Sequence, residues 1–322
     1  MQTRRLGRSG LWLPVIGLGA NNFGGRATPE ASREVIAAAL DHGVNLIDTA
    51  NVYAQTRSES VVGEALRGRR HDAILATKAG IVPGGGARRL DSSRSHVMRQ
   101  VEESLQRLET DYIDLYQIHA FDPATPLEET LGTLDDLVHS GKVRYIGCSN
   151  YNAWRLMKAL ALSERLDLER YVSVQPSYSL ADRRVEQELV PLCMDQEVGL
   201  IAYLPLAGGL LTGKYLGLTD VPEDTRAAKV PGFRHVVLEG EERQALARGL
   251  VDLARERGVS ASQVALAWLV GRPGVTCAIA GATRPSQIED NARAAEITLD
   301  PAALERLEAL SAPFLHHGFG DD

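Results

Sequence analysis

Cysteine is scarce in this 322-residue chain. Its three copies, Cys148, Cys193 and Cys277, stand far apart with no Cys-x-x-Cys pair, so neither a disulfide framework nor a zinc site is suggested and core packing accounts for them. No apolar run approaches the roughly 20 residues that cross a bilayer. The opening Met1-Gln2-Thr3-Arg4-Arg5-Leu6-Gly7 also lacks the hydrophobic segment of a signal peptide, so a cytoplasmic protein with no membrane partner is expected. Basic residues are outnumbered, 35 Lys and Arg against 42 Asp and Glu. That balance argues against broad nucleic-acid binding, which needs a positive surface to neutralise phosphates. No Pro/Gly/Ser-rich linker divides the chain, and a hydrophobic content of 44% is enough for one large core.

What is present is a short apolar run followed by an amphipathic segment, repeated along the chain, which implies a parallel sheet covered by helices. The runs predict eight strands: Val15-Ile16-Gly17, Asn45-Leu46-Ile47, Ala73 to Ala76, Tyr112 to Ile118, Val143 to Cys148, Tyr171 to Val174, Gly199 to Ala202, and Val275 to Ile279. Between them, Thr28-Pro29 supplies a cap and a first-turn proline, and Gly43 a stop. Thr125 with Glu128, and Ser260 with Gln263, have capping-box spacing. Val97, Val101, Leu105 and Leu108 line one helical face between Ser93 and Thr110. Eight such units fit one closed (β/α)8 barrel, a TIM barrel spanning residues 1–322 as a single domain. An open doubly wound sheet is the competitor, but Gly17-Leu18-Gly19-Ala20-Asn21-Asn22 lacks the third glycine of a dinucleotide fingerprint, and no Walker A sequence occurs. The long, weakly periodic stretch from Gly208 to Glu239, after the seventh strand, is expected to be a functional loop over one end of the barrel.

Polar residues gather where these strands end: Asp48, Lys78, His119, Ser149 and Asn150, Gln175, Tyr203, and Gly281 to Arg284. In a barrel those positions share one rim, where active sites sit. Each has a plainer reading: Asp48 as a cap or turn residue, His119 as a hydrogen-bonded core histidine, Lys78 as a solvated strand end, and Tyr53 as a packing aromatic. Together they suit proton transfer to a carbonyl oxygen, with the phenol as donor. Lys78 would lower the Tyr53 pKa, Asp48 would pair with Lys78, and His119 would orient the carbonyl oxygen by a hydrogen bond. A metal held by His119 and Asp48 has little behind it, since two distant residues do not make a ligand set.

These residues resemble the aldo-keto reductases, in the branch that includes bacterial sugar-aldehyde and general stress reductases and the potassium-channel β subunits. The resemblance runs through Arg5-Leu6-Gly7-Arg8-Ser9-Gly10-Leu11, Ile16-Gly17-Leu18-Gly19, Asp48-Thr49-Ala50-Asn51-Val52-Tyr53, Ser58-Glu59 and Ala76-Thr77-Lys78. It continues in Asp114-Leu115-Tyr116-Gln117-Ile118-His119, Gly141 to Gly147 with Ser149-Asn150, and Gly208 to Tyr215. It implies a barrel preceded by an amino-terminal hairpin, NADP(H) bound across the rim without a Rossmann motif, and a small carbonyl or alcohol substrate. The family's catalytic tetrad falls on Asp48, Tyr53, Lys78 and His119. Hydride would pass from the nicotinamide to the carbonyl carbon while Tyr53 protonates the oxygen. Tyr203 matches the aromatic that stacks on the nicotinamide, and Ser149, Asn150 and Gln175 match the residues that bind its carboxamide.

The rest of the cofactor would meet Gly19, Ala20 and Asn21, then Leu204, Pro205, Leu206, Gly208, Lys214 and Arg226, then Gly281, Thr283, Arg284, Gln287, Asp290 and Asn291. Lys214, Arg226 and Arg284 would offer positive charge to the adenosine-ribose phosphate, which favours NADPH over NADH. Pro285 and Ser286 would open the last barrel helix. Departures from the family are Asn51 for a frequent Asp, Ala54 for a frequent Gly, Ala20-Asn21 for a frequent Thr-Trp, and Leu204 for a common Ser. The substrate pocket is expected around Asn22, Arg57, Phe121, Gly217 to His235, and the tail near His316, His317 and Phe319. Two other functions compete with a general carbonyl reductase: a non-catalytic cofactor-binding redox sensor like the channel β subunits, and a reductase of a specialised sugar or biosynthetic intermediate. Retention of His119, where those β subunits carry Asn, favours turnover. Nothing in the sequence fixes an oligomeric state.

Overall fold

The computed structural model describes residues 1–84, 89–230 and 232–316. An antiparallel hairpin, β1 (Thr3–Arg5) and β2 (Trp12–Pro14), comes first. It leads into β3 (Ile16–Gly19), β4 (Leu46–Asp48), β5 (Ile74–Ala79) and β6 (Ile113–Ile118). Then follow β7 (Val143–Ser149), β8 (Ser173–Gln175), β9 (Gly199–Tyr203) and β10 (Val275–Gly281). The strands from β3 to β10 are parallel, each paired with the next, and β10 closes on β3. The expected (β/α)8 barrel and its hairpin are therefore present.

The strands run further toward their carboxyl ends than the apolar runs suggested. The first was expected to stop at Gly17 and reaches Gly19, and the last continues past Ile279 to Gly281. Lys78, Ser149, Gln175 and Tyr203 are consequently ladder residues rather than residues after a strand. Polar side chains that meet polar partners inside the barrel do not interrupt the parallel hydrogen bonding. At the other ends the pairing starts later, so Tyr171 precedes β8.

Local signals account for most helix boundaries. Thr28 accepts a hydrogen bond from the Ala31 N–H at 3.2 Å, opening helix Pro29–Asp41, and Gly43 follows that helix at φ +72°. Ser260 and Gln263 form both bonds of a capping box, at 3.1 and 3.2 Å. Val97, Val101, Leu105 and Leu108 are buried along helix Arg94–Leu108. The capping box expected at Thr125 and Glu128 does not form. Helix Leu127–His139 starts after Pro126, and the Thr125 hydroxyl instead donates to Asp122 at 2.7 Å, so the turn before the helix takes the cap residue.

The hairpin seals one end of the barrel. Leu6 and Leu13 pack with Leu46, Ala76, Leu115, Ile201, Cys277 and Ile279 in the lower interior. Gly7 makes the closest approach, at φ +53°, where a Cβ would lie 2.5 Å from the Glu197 carbonyl. Arg4 Nη1 ties the plug to the carbonyls of Val270 and Val275, at 2.7 and 2.6 Å. All three cysteines are buried, as their core reading required, and burial pushes the Cys193 thiol up to about 12.

Over the open end, the long segment after β9 folds into short helical pieces, Ala207–Thr212, Arg226–Lys229 and Phe233–Leu238. Among the described residues, no helix is long and apolar enough to cross a membrane.

Candidate active site

Alternation along β5 sends the Thr77 hydroxyl outward to Glu59, at 2.6 Å, and Lys78 inward to Asp48 at the end of β4. Lys78 Nζ donates to Asp48 Oδ1 at 2.5 Å and to the Thr49 carbonyl at 2.9 Å. Asp48 Oδ2 accepts from Gln175 Nε2 at 2.8 Å and from Gln117 Nε2 at 3.2 Å. A buried ion pair persists only when its remaining lone pairs and protons are also satisfied, and these bonds do that. Gln117 was not among the expected site residues, although it stands in register with Lys78 across the β5–β6 ladder.

Tyr53 reaches the same place from the loop after β4. Ala54, Gln55 and Thr56 follow it at φ +49°, +57° and +73°, a left-handed turn that ends where helix Arg57–Ala65 begins. Such conformations cost about 1–2 kcal/mol per non-glycine residue. The Tyr53 ring meets the His119 ring edge-on, with centroids 5.7 Å apart, and Lys78 Nζ lies 5.2 Å from the Tyr53 centroid. The sequence suggested a phenol made more acidic by Lys78. The structure corrects this: burial raises the Tyr53 pKa above its ordinary value, with Lys78 the strongest opposing influence. For Lys78 itself burial is again the largest influence and works against charge, but Asp48 and Tyr53 outweigh it and hold the ammonium above its usual range.

His119 stands just past β6, its backbone N–H bonded to the Ala79 carbonyl at 2.8 Å. Asn150, at φ +59°, donates to the His119 carbonyl at 2.8 Å and to Ser149 Oγ at 3.0 Å, and accepts from the Tyr203 hydroxyl at 2.8 Å. Ser149 Oγ donates to the Gln175 carbonyl at 2.8 Å. The rim is thus stitched from strand to strand.

Most of the expected residues line one cavity of about 350 Å³. Asp48, Tyr53, His119, Ser149, Asn150, Gln175 and Tyr203 form its floor and one side. Gly19, Asn21 and Asn22 border it from the first loop, with Leu204, Pro205, Leu206, Gly208, Lys214 and Arg226 from the loop after β9, and Gly281, Thr283 and Gln287 from the last. Five expected residues do not line it. Lys78 lies fully buried behind Asp48, Ala20 is buried, and Asn291 is buried in helix Pro285–Arg293. Asp290 accepts from Ser260 Oγ and Gln263 Nε2, at 2.8 and 2.9 Å, and Arg284 is exposed at the start of that helix. Arg57 and Phe121 are also absent from the lining, Phe121 packing edge-on against Tyr151 and Trp154. His317 and Phe319 lie outside the described residues.

The sequence reading missed Arg26, Gly209 and Thr212, which complete the wall. The available signal for Arg26 was its place between the first strand and the Thr28 cap, on the rim side of the barrel.

An eight-stranded barrel with Asp, Tyr, Lys and His converging at the carboxyl ends of its strands defines an enzyme-like rim. The family model described as "Aldo/keto reductase family" matches residues 15–312, and the chain belongs to that family. It is 36% identical over 318 residues to the "Probable voltage-gated potassium channel subunit beta" of Arabidopsis thaliana, covering 96% of each chain. It is also 36% identical over 306 residues to the "L-glyceraldehyde 3-phosphate reductase" of Escherichia coli (strain K12), covering 91% of this chain and 87% of the relative. "Aldo-keto reductase YhdN" of Bacillus subtilis (strain 168) is 35% identical over 300 residues, covering 90% and 87%.

Proposed function

We propose that the chain is a single-domain, NADP(H)-dependent oxidoreductase that reduces aldehydes or ketones to alcohols and runs in reverse as an alcohol dehydrogenase. The observation that carries this is the packing of Tyr53 against both His119 and Lys78, with Lys78 paired to Asp48, at the wall of one cavity. The cavity fits an anionic dinucleotide, since buried N–H atoms of Arg26 and Arg226 at its wall have no acceptor and Tyr203 lines it as well. When bound, the nicotinamide supplies hydride to the carbonyl carbon.

The residues of the chain handle the proton. Tyr53, held protonated by its raised pKa, donates its phenolic proton to the carbonyl oxygen. Lys78, kept charged by Asp48, stabilises the phenolate left behind. His119 orients the carbonyl oxygen from the other side of the Tyr53 ring. Gln175 directs its amide hydrogens to Asp48 and Gln117, which leaves its oxygen as an acceptor for the nicotinamide carboxamide. Tyr203 offers its ring face to the nicotinamide, fixed by its hydroxyl bond to Asn150.

Turnover distinguishes this reading from a cofactor-binding sensor. The experiment is NADPH oxidation, followed by absorbance, with 4-nitrobenzaldehyde, methylglyoxal and aldoses, for the wild type and Tyr53→Phe. Wild-type turnover is expected, and the variant should lose about two or more orders of magnitude in kcat while NADPH affinity holds. Tight NADPH binding with no turnover on any carbonyl would favour the sensor, and near-normal kcat in Tyr53→Phe would remove the role given to the phenol.

A further inference from the structure

Where this fold buries a guanidinium for structural reasons, it supplies carboxylates. Arg183 meets Glu186 and Glu308 at 2.8 and 2.6 Å, Arg107 meets Glu59 at 2.7 Å, and Arg70 meets Asp114 at 2.8 Å. Two arginines in the cavity wall break that habit. Arg26, from the loop after β3, has Nε and Nη1 buried without an acceptor, and Arg226, from the loop after β9, has Nε in the same condition. Among the described residues neither takes part in an ion pair. Each buried donor left unmade costs about 1–3 kcal/mol, and like charges in one cavity add repulsion. Burial, and after it the charge of Arg26, depresses the Arg226 pKa. Such a local conflict is expected at functional sites rather than in a packing core.

The surroundings show which way the charge is directed. The Arg226 guanidinium lies over the Phe233 ring at 5.0 Å, which holds it in place on one side. Its field also reaches the Tyr53 phenol, which places it toward the reacting end of the cavity rather than at a remote phosphate. Asp224 is close enough to influence Arg26 but is not paired with it.

We propose that Arg26 and Arg226 form a two-guanidinium receptor for a phosphoryl or carboxylate group held inside the cavity near Tyr53, with Arg26 the member that sequence motifs do not announce. Both acid groups offer paired oxygens that match the planar donor forks of arginine. The group has two possible sources, the acid group of a small carbonyl substrate or the pyrophosphate of the dinucleotide. In naming them the proposal rests on the reductase reading above.

The test uses the full chain and the variants Arg26→Gln and Arg226→Gln. Arg234→Gln serves as a control, because it removes an exposed charge, paired with Asp220 at 2.9 Å, from the same loop. Calorimetry with inorganic pyrophosphate should show affinity reduced about tenfold or more in both cavity variants and unchanged in the control, as loss of a charged hydrogen bond requires. Ligand-free Arg26→Gln should melt no lower than the wild type, because it removes an unpaired buried charge. Two aldehydes, one carboxylated (terephthalaldehydic acid) and one neutral (nitrobenzaldehyde), are then compared at saturating NADPH. If the NADPH Kd measured by fluorescence rises about tenfold while KM stays put for both aldehydes, the cofactor supplies the anion. If KM rises for the carboxylated aldehyde alone, the substrate supplies it. Undiminished pyrophosphate affinity in both cavity variants would overturn the proposal, as would a lower melting temperature for ligand-free Arg26→Gln, which would mark a structural arginine. The calorimetric and melting measurements need no turnover, so an inactive wild type would sink the reductase reading without deciding this one.

Discussion

Lys78 Nζ sits 2.5 Å from Asp48 Oδ1, and both side chains are closed off from solvent. Asp48 raises the pKa of Lys78 and also that of Tyr53, whereas burial alone would discharge the lysine. In Asp48→Asn both groups therefore titrate at lower pH, and the alkaline limb of the kcat profile for carbonyl reduction should move down. The linked stability has a definite sign. A lysine with a raised folded pKa stabilises fully below its unfolded value near 10.5, and that contribution disappears as pH rises through the folded value. Asp48→Asn should lose about 3–5 kcal/mol at neutral pH, read by urea denaturation, because it leaves a buried ammonium uncompensated. An unmoved alkaline limb would show that the pair does not govern the proton donor.

Asn51 replaces the family's frequent Asp for a reason visible in its contacts. Its Nδ2 donates to the Ile81 carbonyl at 3.0 Å and to Gln100 Oε1 at 2.7 Å, and no carboxylate could make those bonds. Asn51→Asp should cost about 2–3 kcal/mol. Burial against a carbonyl raises the new carboxyl's pKa, so its folded form is favoured at low pH and the loss deepens from pH 5 to pH 7. Equal stability of the variant and the wild type at both pH values would show that the two donated bonds carry no weight.

Ala54 occupies a left-handed position, φ +49°, at which the family often has Gly. Ala54→Gly relieves the Cβ clash but frees the unfolded chain, for a net gain of about 0.5–1 kcal/mol. Chemical denaturation should show the gain, with kcat little changed. A net loss would mean that Cβ packing outweighs the backbone strain.

Arg284 is exposed at the start of helix Pro285–Arg293, outside the cavity lining. It is placed to meet the outer end of an extended dinucleotide. Arg284→Ala should weaken NADPH about tenfold and NADH by much less, in line with one charged phosphate contact. Equal weakening in fluorescence titrations would show that Arg284 does not read the extra phosphate.

Much of the rim was legible because strand ends announce themselves. The apolar runs ending near Asp48, Lys78, His119, Ser149, Gln175 and Tyr203 place those residues at one level of the barrel from their order alone. Hidden from view were partners that depend on lateral register. Gln117 bonds Asp48 from two strands away, and Thr125 turns to Asp122 instead of capping the next helix. The Tyr53 pKa was misjudged because a neighbouring charge can be named from sequence, but the solvent lost around a phenol is a property of packing.

By itself, the order of residues determined the barrel, its sealed end and the set of groups on its rim, because periodicity and caps are local and eight repeated units leave few ways to close. Tertiary structure alone decided which of those groups touch, which donors are left without acceptors, and that Arg26 faces the same cavity as Arg226. Charge and hydrogen bonding act through space over a few ångströms, and residues far apart in the chain reach that distance only when the strands between them have closed.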